Sequence, residues 1–524
     1  MLRSALLVIA LLNTRAALAA PGAEQPAIDR GVQFVRGRVG NQQVGETALV
    51  ALALSKAEVP ANDPTQAAAL AKIQRRFNGS VYQPERTGGA EIYEAGVIIL
   101  ALGSIDPQVY QPEIKAAAQY ILGKQNANGS WDYTGRIAGD TSISQYAVLG
   151  LWEAENSGVA IPPRAWDKAA SWYLSVQHPS QGSWNYHRDE GSRYPETVSM
   201  TAAGVGSLLI CQRQLDRHRR SADTESSLLT PLMAENRPSI YHASTPVSRV
   251  NAGVRKGLAW LGSHFDPEKG IMGHSAYYGL YGIERIGALA ERDSLGGEDW
   301  FDEGARFALA TQQADGSWTG QYGEVNNTVW TLLFLTKSTA QTLKKIEIKR
   351  LGAGTLLGGR GLPKDLSSLT VAQGRVVVRP MNGAVDAMLD VLADPRARDA
   401  DSALAGLVER YQKDGPKVLR PHKDRLRKLL DDRDPGVRAA AAWTLGRTAD
   451  LDVVPALIAA LRDPDEAVVA EARTGLQVIS RKLDGYGPPP GASPKQREEA
   501  ANRWRAWYDS VRPPDLDGPD AGLN

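Results

Sequence analysis

Three copies of one turn constrain this chain more than any other feature. QNANGSW begins at Gln125, QHPSQGSW at Gln177 and QQADGSW at Gln312. Each closes a run with a charged residue, a small residue, an aromatic and a second apolar or small residue in the same order. KAAAQYILGKQNANGSW from Lys115, KAASWYLSVQHPSQGSW from Lys168 and EGARFALATQQADGSW from Glu303 fit this pattern. Worn copies start at Arg30, Ala67 and Lys256. A second run follows every turn, from Gly45, Glu91, Asp140, Glu196, Tyr277 and Asn326. The second runs are apolar nearly all round, as buried helices are; the first are amphipathic, as outer helices are. Repetition of this kind means stacked copies of one helix pair.

Six outer helices alternating with six buried ones between residues 27 and 338 suit a closed ring. The predicted fold class is therefore all-α: a single α6/α6 toroid, a small mixed connector and a short α-solenoid. In the repeated turn Gly129, Gly182 and Gly316 allow the reversal. Gln125, Gln177 and Gln312 end the outer helices, and Trp131, Trp184 and Trp318 cap the buried ones by stacking. These nine residues read as joints.

The rest of the chain divides by composition. Residues 1–19 read as a signal peptide, with Arg3, an apolar run from Ala5 to Leu12 and the small-x-small pattern Ala17-Leu18-Ala19. Cleavage after Ala19 makes the mature protein periplasmic or extracellular. No later stretch reads as transmembrane. Cys211 is the only cysteine, so no intrachain disulfide and no multi-cysteine metal site can form. The formal net charge of +1 implies no nucleic-acid partner. Residues 216–250 interrupt the repeat with a polar insertion. Residues 339–382 read as a connector with short strands around Ile346–Ile348 and Val376–Val378. Its Gly-rich GAGTLLGGRGLP lacks the Gly-Lys-Ser/Thr ending of a phosphate loop, so no cofactor is predicted.

Helices return at residues 383–511. LLDDRDPGVRAAAAWTLGR and LRDPDEAVVAEARTGLQVI set Asp432, Val437 and Leu445 over Asp463, Val468 and Leu476, each offset by 31 residues. The Asp-Pro starts cap helices, and the pattern resembles HEAT-like repeats. Two repeats are clear, and runs at Ala384–Ala393 and Asp401–Tyr411 are worn members. HEAT arrays bind proteins, so a protein partner is expected there. Residues 512–524 read as a disordered tail.

The Gln-to-Gly-Ser-Trp spacing resembles the QW repeat of squalene-hopene and oxidosqualene cyclases, in the terpenoid cyclase/protein prenyltransferase toroid superfamily. Tyr277–Trp318 also resembles exported bacterial proteins with a squalene-cyclase-like toroid. The resemblance implies an apolar or polyprenyl ligand and an Asp-x-Asp-Asp acid, but the ring has no such motif. Asp431, Asp432 and Asp434 lie in the HEAT-like turn, where they read as caps. The single-ring prenyltransferases need a zinc held by Asp, Cys and His. Cys211 and His218 could share a helix face, yet no third ligand has the right spacing. No metal is predicted.

What remains is a ring of polar residues at the starts of the buried helices. Carboxylates there are favoured by the helix dipole alone. The sharper expectation is a cavity with Asp140, Glu196 and His274 at its rim, lined by Tyr93, Trp152, Tyr277, Tyr278 and Trp330. The leading reading is an exported, non-catalytic binding or scaffold protein of the cell envelope. The alternatives are a cyclase- or transferase-like enzyme with a non-standard acid, and a carbohydrate- or cofactor-binding toroid.

Overall fold

A computed structural model describes residues 23–188, 193, 195–222, 241–267, 276–351, 369–372, 375–378, 380–397 and 399–512. The predicted signal peptide, most of the insertion, His274, the Gly-rich connector and nearly all of the tail lie outside the described residues. Six buried helices form the inner ring: α2 Val44–Lys56, α4 Ala90–Ile105, α6 Thr141–Asn156, α8 Val198–Ala222, α10 Ala276–Leu289 and α12 Gly323–Leu335. Each packs on the next, and α12 packs back on α2, so the ring is closed. Outside it lie α1 Gln25–Arg36, α3 Pro64–Gln74, α5 Gln111–Gly123, α7 Pro163–Val176, α9 Val247–His264 and α11 Trp300–Thr311. Helix α6 is buried at every position from Thr141 to Ala154, whereas α7 buries one stripe.

The repeated turns join neighbouring outer helices. The Gln125 amide donates to the Ala165 carbonyl of α7 at 3.1 Å. Gln177 does the same to Gly253 of α9 at 2.9 Å, and Gln312 to Ala27 of α1 at 2.9 Å. The third bond therefore closes the circle on the first helix. Each amide also donates to its own turn, at Gly129, Gly182 and Gly316 respectively. The tryptophans do more than the expected stacking cap, in which the Trp184 ring lies against Gly204 of α8. Their indole N–H groups donate backwards, to Ile121, Tyr173 and Ala308 of the preceding outer helix. Their backbone N–H groups donate forwards, to hydroxyls of Ser144, Thr201 and Thr328 on the following inner helix. One residue thus ties the two helices of a pair.

The charged-then-small dipeptide now has a cause. A Cβ on Gly129, Gly182 or Gly316 would collide with the backbone of Lys168, Lys256 or Arg30, the charged member on the next outer helix. A Cβ on the small members Gly257 and Gly31 would approach the Trp184 and Trp318 rings to 2.9 and 3.0 Å. The small residue leaves room for the ring.

Two expectations need correction. Ile346–Ile348 do not form a strand. They belong to α13, Ser338–Leu351. The Lys-Lys-Ile-Glu-Ile-Lys alternation mimics a strand, but Glu284 of α10 accepts from the Thr339 and Ala340 N–H groups and fixes a helix start. Lys56 at the end of α2 donates to Thr342, and Lys345 donates to the Ser104 carbonyl near the end of α4. Helix α13 thus lies across the C-terminal end of the inner ring. Burial pushes Lys56 down to about 8, against the attraction of Glu153. The expected Val376–Val378 run does form a strand, Arg375–Val378, paired antiparallel with Leu369–Ala372.

The insertion also begins later than expected, because α8 continues through residues 216–222. Its return is anchored on Asp167, which accepts from Tyr241, Ser244 and Thr245. Burial pushes the Asp167 carboxyl up, but these bonds outweigh it and hold the group below its ordinary value. Cys211 is fully buried, and burial pushes its thiol up, as for a core residue.

The solenoid comprises α14 Val385–Ala393, α15 Ala400–Asp414, α16 Lys423–Leu429, α17 Pro435–Gly446, α18 Val454–Ala460, α19 Glu466–Ser480 and α20 Pro494–Val511. It has its own apolar core.

Gln312→Ala should lower stability by about 1–3 kcal/mol, because it strips two carbonyls of their donor. Gly316→Ala should cost at least as much, because its φ is +87° and its Cβ would lie 2.5 Å from the Arg30 oxygen. Urea titration of the full chain measures both. Unchanged midpoints would mean that the third joint does not hold the ring.

Candidate functional site

The N-terminal ends of the inner helices meet at one mouth, as toroid topology requires. Capping explains most of the carboxylates there. Glu46 completes a capping box with Gln43, Glu91 accepts from the Gly89 N–H, and Asp140 accepts from the Ile143 N–H at 2.8 Å. Glu196 is half-buried ahead of α8, and its neighbour Thr197 caps that helix through Met200.

Asp140 does more than cap. It is 1% exposed. Its Oδ1 accepts from Ser142 Oγ at 2.5 Å as well as from Ile143, and its Oδ2 lies 3.0 Å from His187 Nε2. His187 comes from the turn after α7, whose Tyr186 and Asn185 carbonyls bind Thr141 at the start of α6. The hydrogen bond to Asp140 raises the His187 pKa above its ordinary 6.5; burial opposes it, and the charges of Asp140 and Asp132 add to it. His187 borders a cleft of about 310 Å³ lined also by Asp132, Arg136, Ile137, Thr141, Trp172, Tyr186 and Arg188, with Asp140 behind it. Ile137 is 78% exposed, and Tyr133 and Tyr322 are exposed nearby.

Behind the cleft the mouth is aromatic. Tyr93 hydrogen-bonds Ser142 at 2.6 Å and packs on Tyr146. Tyr146 stacks on Tyr278, Tyr278 contacts Trp330, and Trp330 contacts Tyr322. The structure therefore brings together Asp140, Tyr93, Tyr278 and Trp330 of the expected set. It places Trp152 at the opposite end of the ring, beside Glu153, Arg285 and α13. Tyr277 packs outward on Phe307 of α11, at 5.8 Å between ring centroids. Adjacent helix positions point about 100° apart, so Tyr277 and Tyr278 cannot share a lining. Sequence reading missed His187, because a lone loop histidine carries no motif. It also missed Arg285, for which a signal existed: Glu284-Arg285 is a charged pair in the middle of an otherwise apolar run.

Among the described residues no group of His, Cys, Asp and Glu could hold a metal ion. No helix among them is long and apolar enough to cross a membrane.

The second candidate surface is the solenoid. Asp434 caps α17 and Asp465 caps α19, as their Asp-Pro or Asp-rich starts imply. Asp432 and Asp463 brace these turns through the N–H groups of Asp434 and Asp465. Arg438 then reaches across to Asp463 with two bonds, at 2.7 and 2.9 Å, and locks one repeat on the next. Gly446 and Gly475 let α17 and α19 approach so closely that a Cβ on Gly446 would sit 2.4 Å from the Gly475 Cα. The array is fastened to the ring. Arg447 pairs with Glu291 at 3.0 Å, Glu409 with Lys344 of α13 at 2.7 Å, and Asp484 binds Asn251 and Arg255.

Comparison with known families agrees with this geometry. A family model described as HEAT repeats matches residues 385–477. The match runs from α14 into α19 and so includes both worn members. No curated protein matches the chain. The chain therefore carries HEAT repeats, a kind of array that commonly mediates protein interactions.

His187→Gln should cost about 1–2 kcal/mol near pH 5.5. The pair's stabilisation is complete below the unfolded value of about 6.5 and is lost as pH rises through the higher folded value. The gap between variant and native protein should therefore shrink from pH 5.5 to pH 9. A gap that is flat or widens over this range would contradict the charged pair.

Proposed function

We propose that this chain is an exported, non-catalytic binding or scaffold protein of the cell envelope, in which a ring carries a HEAT-repeat array at a fixed angle. The observation that carries this reading is the HEAT array fastened to the ring by Arg447, Lys344 and Asp484. A short array on a rigid base presents a preformed surface and loses little freedom on binding. Exposed charged side chains on α20, among them Lys495, Arg503 and Arg505, are available to a protein partner. We also infer that the ring descends from the terpenoid cyclase/prenyltransferase toroids, on the strength of its three joints.

Two features weigh against a cyclase-like enzyme. A general acid must offer a proton, but both carboxyl oxygens of Asp140 are already taken up as acceptors, by three donors in all. Carbocation chemistry needs a lumen free of fixed positive charge. Here the Arg285 guanidinium is 1% exposed and sits 4.3 Å from the Tyr281 ring centre. It occupies the aromatic face that a carbocation would use.

The test is cross-linking of the full chain in a cell-envelope fraction, with mapping of the adducts. The expected result is adducts to other proteins at Lys495 and its neighbours, reduced at least tenfold in an Arg503→Glu, Arg505→Glu variant whose Tm is unchanged. The mature N-terminus should be Ala20. Adducts confined to the ring, or unaffected by the double variant, would contradict the reading.

A further inference from the structure

The C-terminal end of the ring holds a small chamber of about 20 Å³ between α2, α6, α10 and α13. This is room for one water-sized particle. Its wall includes Lys56, Trp152, Glu153, Tyr281, Arg285 and Thr342. Arg285 and Trp152 are 1% and 2% exposed. The Arg285 guanidinium lies 4.3 Å from the Tyr281 ring centre, and among the described residues neither its Nη1 and Nη2 groups nor the Trp152 Nε1–H has an acceptor at sound hydrogen-bond geometry. All three are donors with no lone pair to offer.

The other charged and polar groups face partners of their own. The Thr342 hydroxyl accepts from Lys56 and donates to the Ser338 carbonyl. Glu153 faces the Lys56 charge, and that attraction acts on both groups. Glu284, the neighbour of Arg285, accepts from the N–H groups of Thr339 and Ala340 on Oε1, and its Oε2, also buried without a partner, does not line the chamber. A buried guanidinium end left without an acceptor carries a desolvation cost, and larger for a charge than for a neutral group. Water in such a chamber would accept from two donors at most and bring no charge to set against the guanidinium. A monatomic anion accepts from all three and neutralises the guanidinium.

We propose that this chamber is a chloride site, in which one halide accepts from the guanidinium of Arg285 and the indole N–H of Trp152. The site bridges two inner helices directly beneath α13, so occupancy stabilises the closed end of the ring. The inference does not rest on the scaffold reading.

The experiment compares the full chain in sodium chloride and in sodium gluconate at constant ionic strength. Chloride should raise Tm by about 1–3 °C between 5 and 300 mM, through preferential binding to the folded state. Trp152→Phe removes one donor while keeping the ring apolar and aromatic, and should erase most of the difference. Arg285→Met should erase all of it. Crystals grown in bromide should give an anomalous peak within hydrogen-bond reach of Arg285 and Trp152. Equal Tm in the two salts, a chloride effect unchanged in Trp152→Phe, or no bromide peak would each overturn the proposal.

Discussion

The bond from a glutamine side chain to a carbonyl on the next outer helix is the constraint on which the ring depends. Helix pairs with a buried and a half-buried member could stack indefinitely into a superhelix. Gln125, Gln177 and Gln312 each reach one outer helix onwards, and the reach of Gln312 lands on Ala27. The joint that advances the array by one pair therefore also ends it. The cost of misplacing it is high because the accepting carbonyls and the glycines of the turn are packed against neighbouring backbone, with little space to relax.

The two ends of the ring differ in kind. At the N-terminal mouth, carboxylates cap helices, and Asp140 adds a pair with His187 beside an open cleft. At the C-terminal end, charges are buried under α13. Glu284 starts that helix, Lys56 and Lys345 hold its first turns, and Lys344 continues to Glu409 of the HEAT array. One helix thus closes the ring and joins it to the array. This arrangement makes the relative placement of the two parts a consequence of the ring's own closure.

The sequence made the periodic parts legible and left the singular parts hidden. The alternation of amphipathic and apolar runs located twelve ring helices, and the 31-residue offset located the HEAT repeats, because periodicity survives the loss of individual residues. The three joints were legible as joints, but the bonds of the tryptophan N–H groups to both helices of a pair were not. Of the expected lining residues, Tyr93, Tyr278 and Trp330 meet at the mouth, whereas Tyr277 and Trp152 lie elsewhere. Trp152 lies twelve residues beyond Asp140, a rise of roughly 18 Å along a helix, which already separates it from the mouth. Helix α13 was hidden because its charged and apolar residues alternate, and its start is fixed by Glu284, a residue distant in sequence. His187 was hidden for the same reason: its partner Asp140 lies on another element.

The central claim is that the ring is closed through its third joint. Hydrogen exchange on the intact chain tests it most directly. A closed ring gives the backbone amides of α1 and of the turn from Gln312 to Trp318 the same protection as those of the turn from Gln177 to Trp184. An open superhelix has two free ends. Rapid exchange throughout α1 and at Trp318, with Trp184 still protected, would contradict the account.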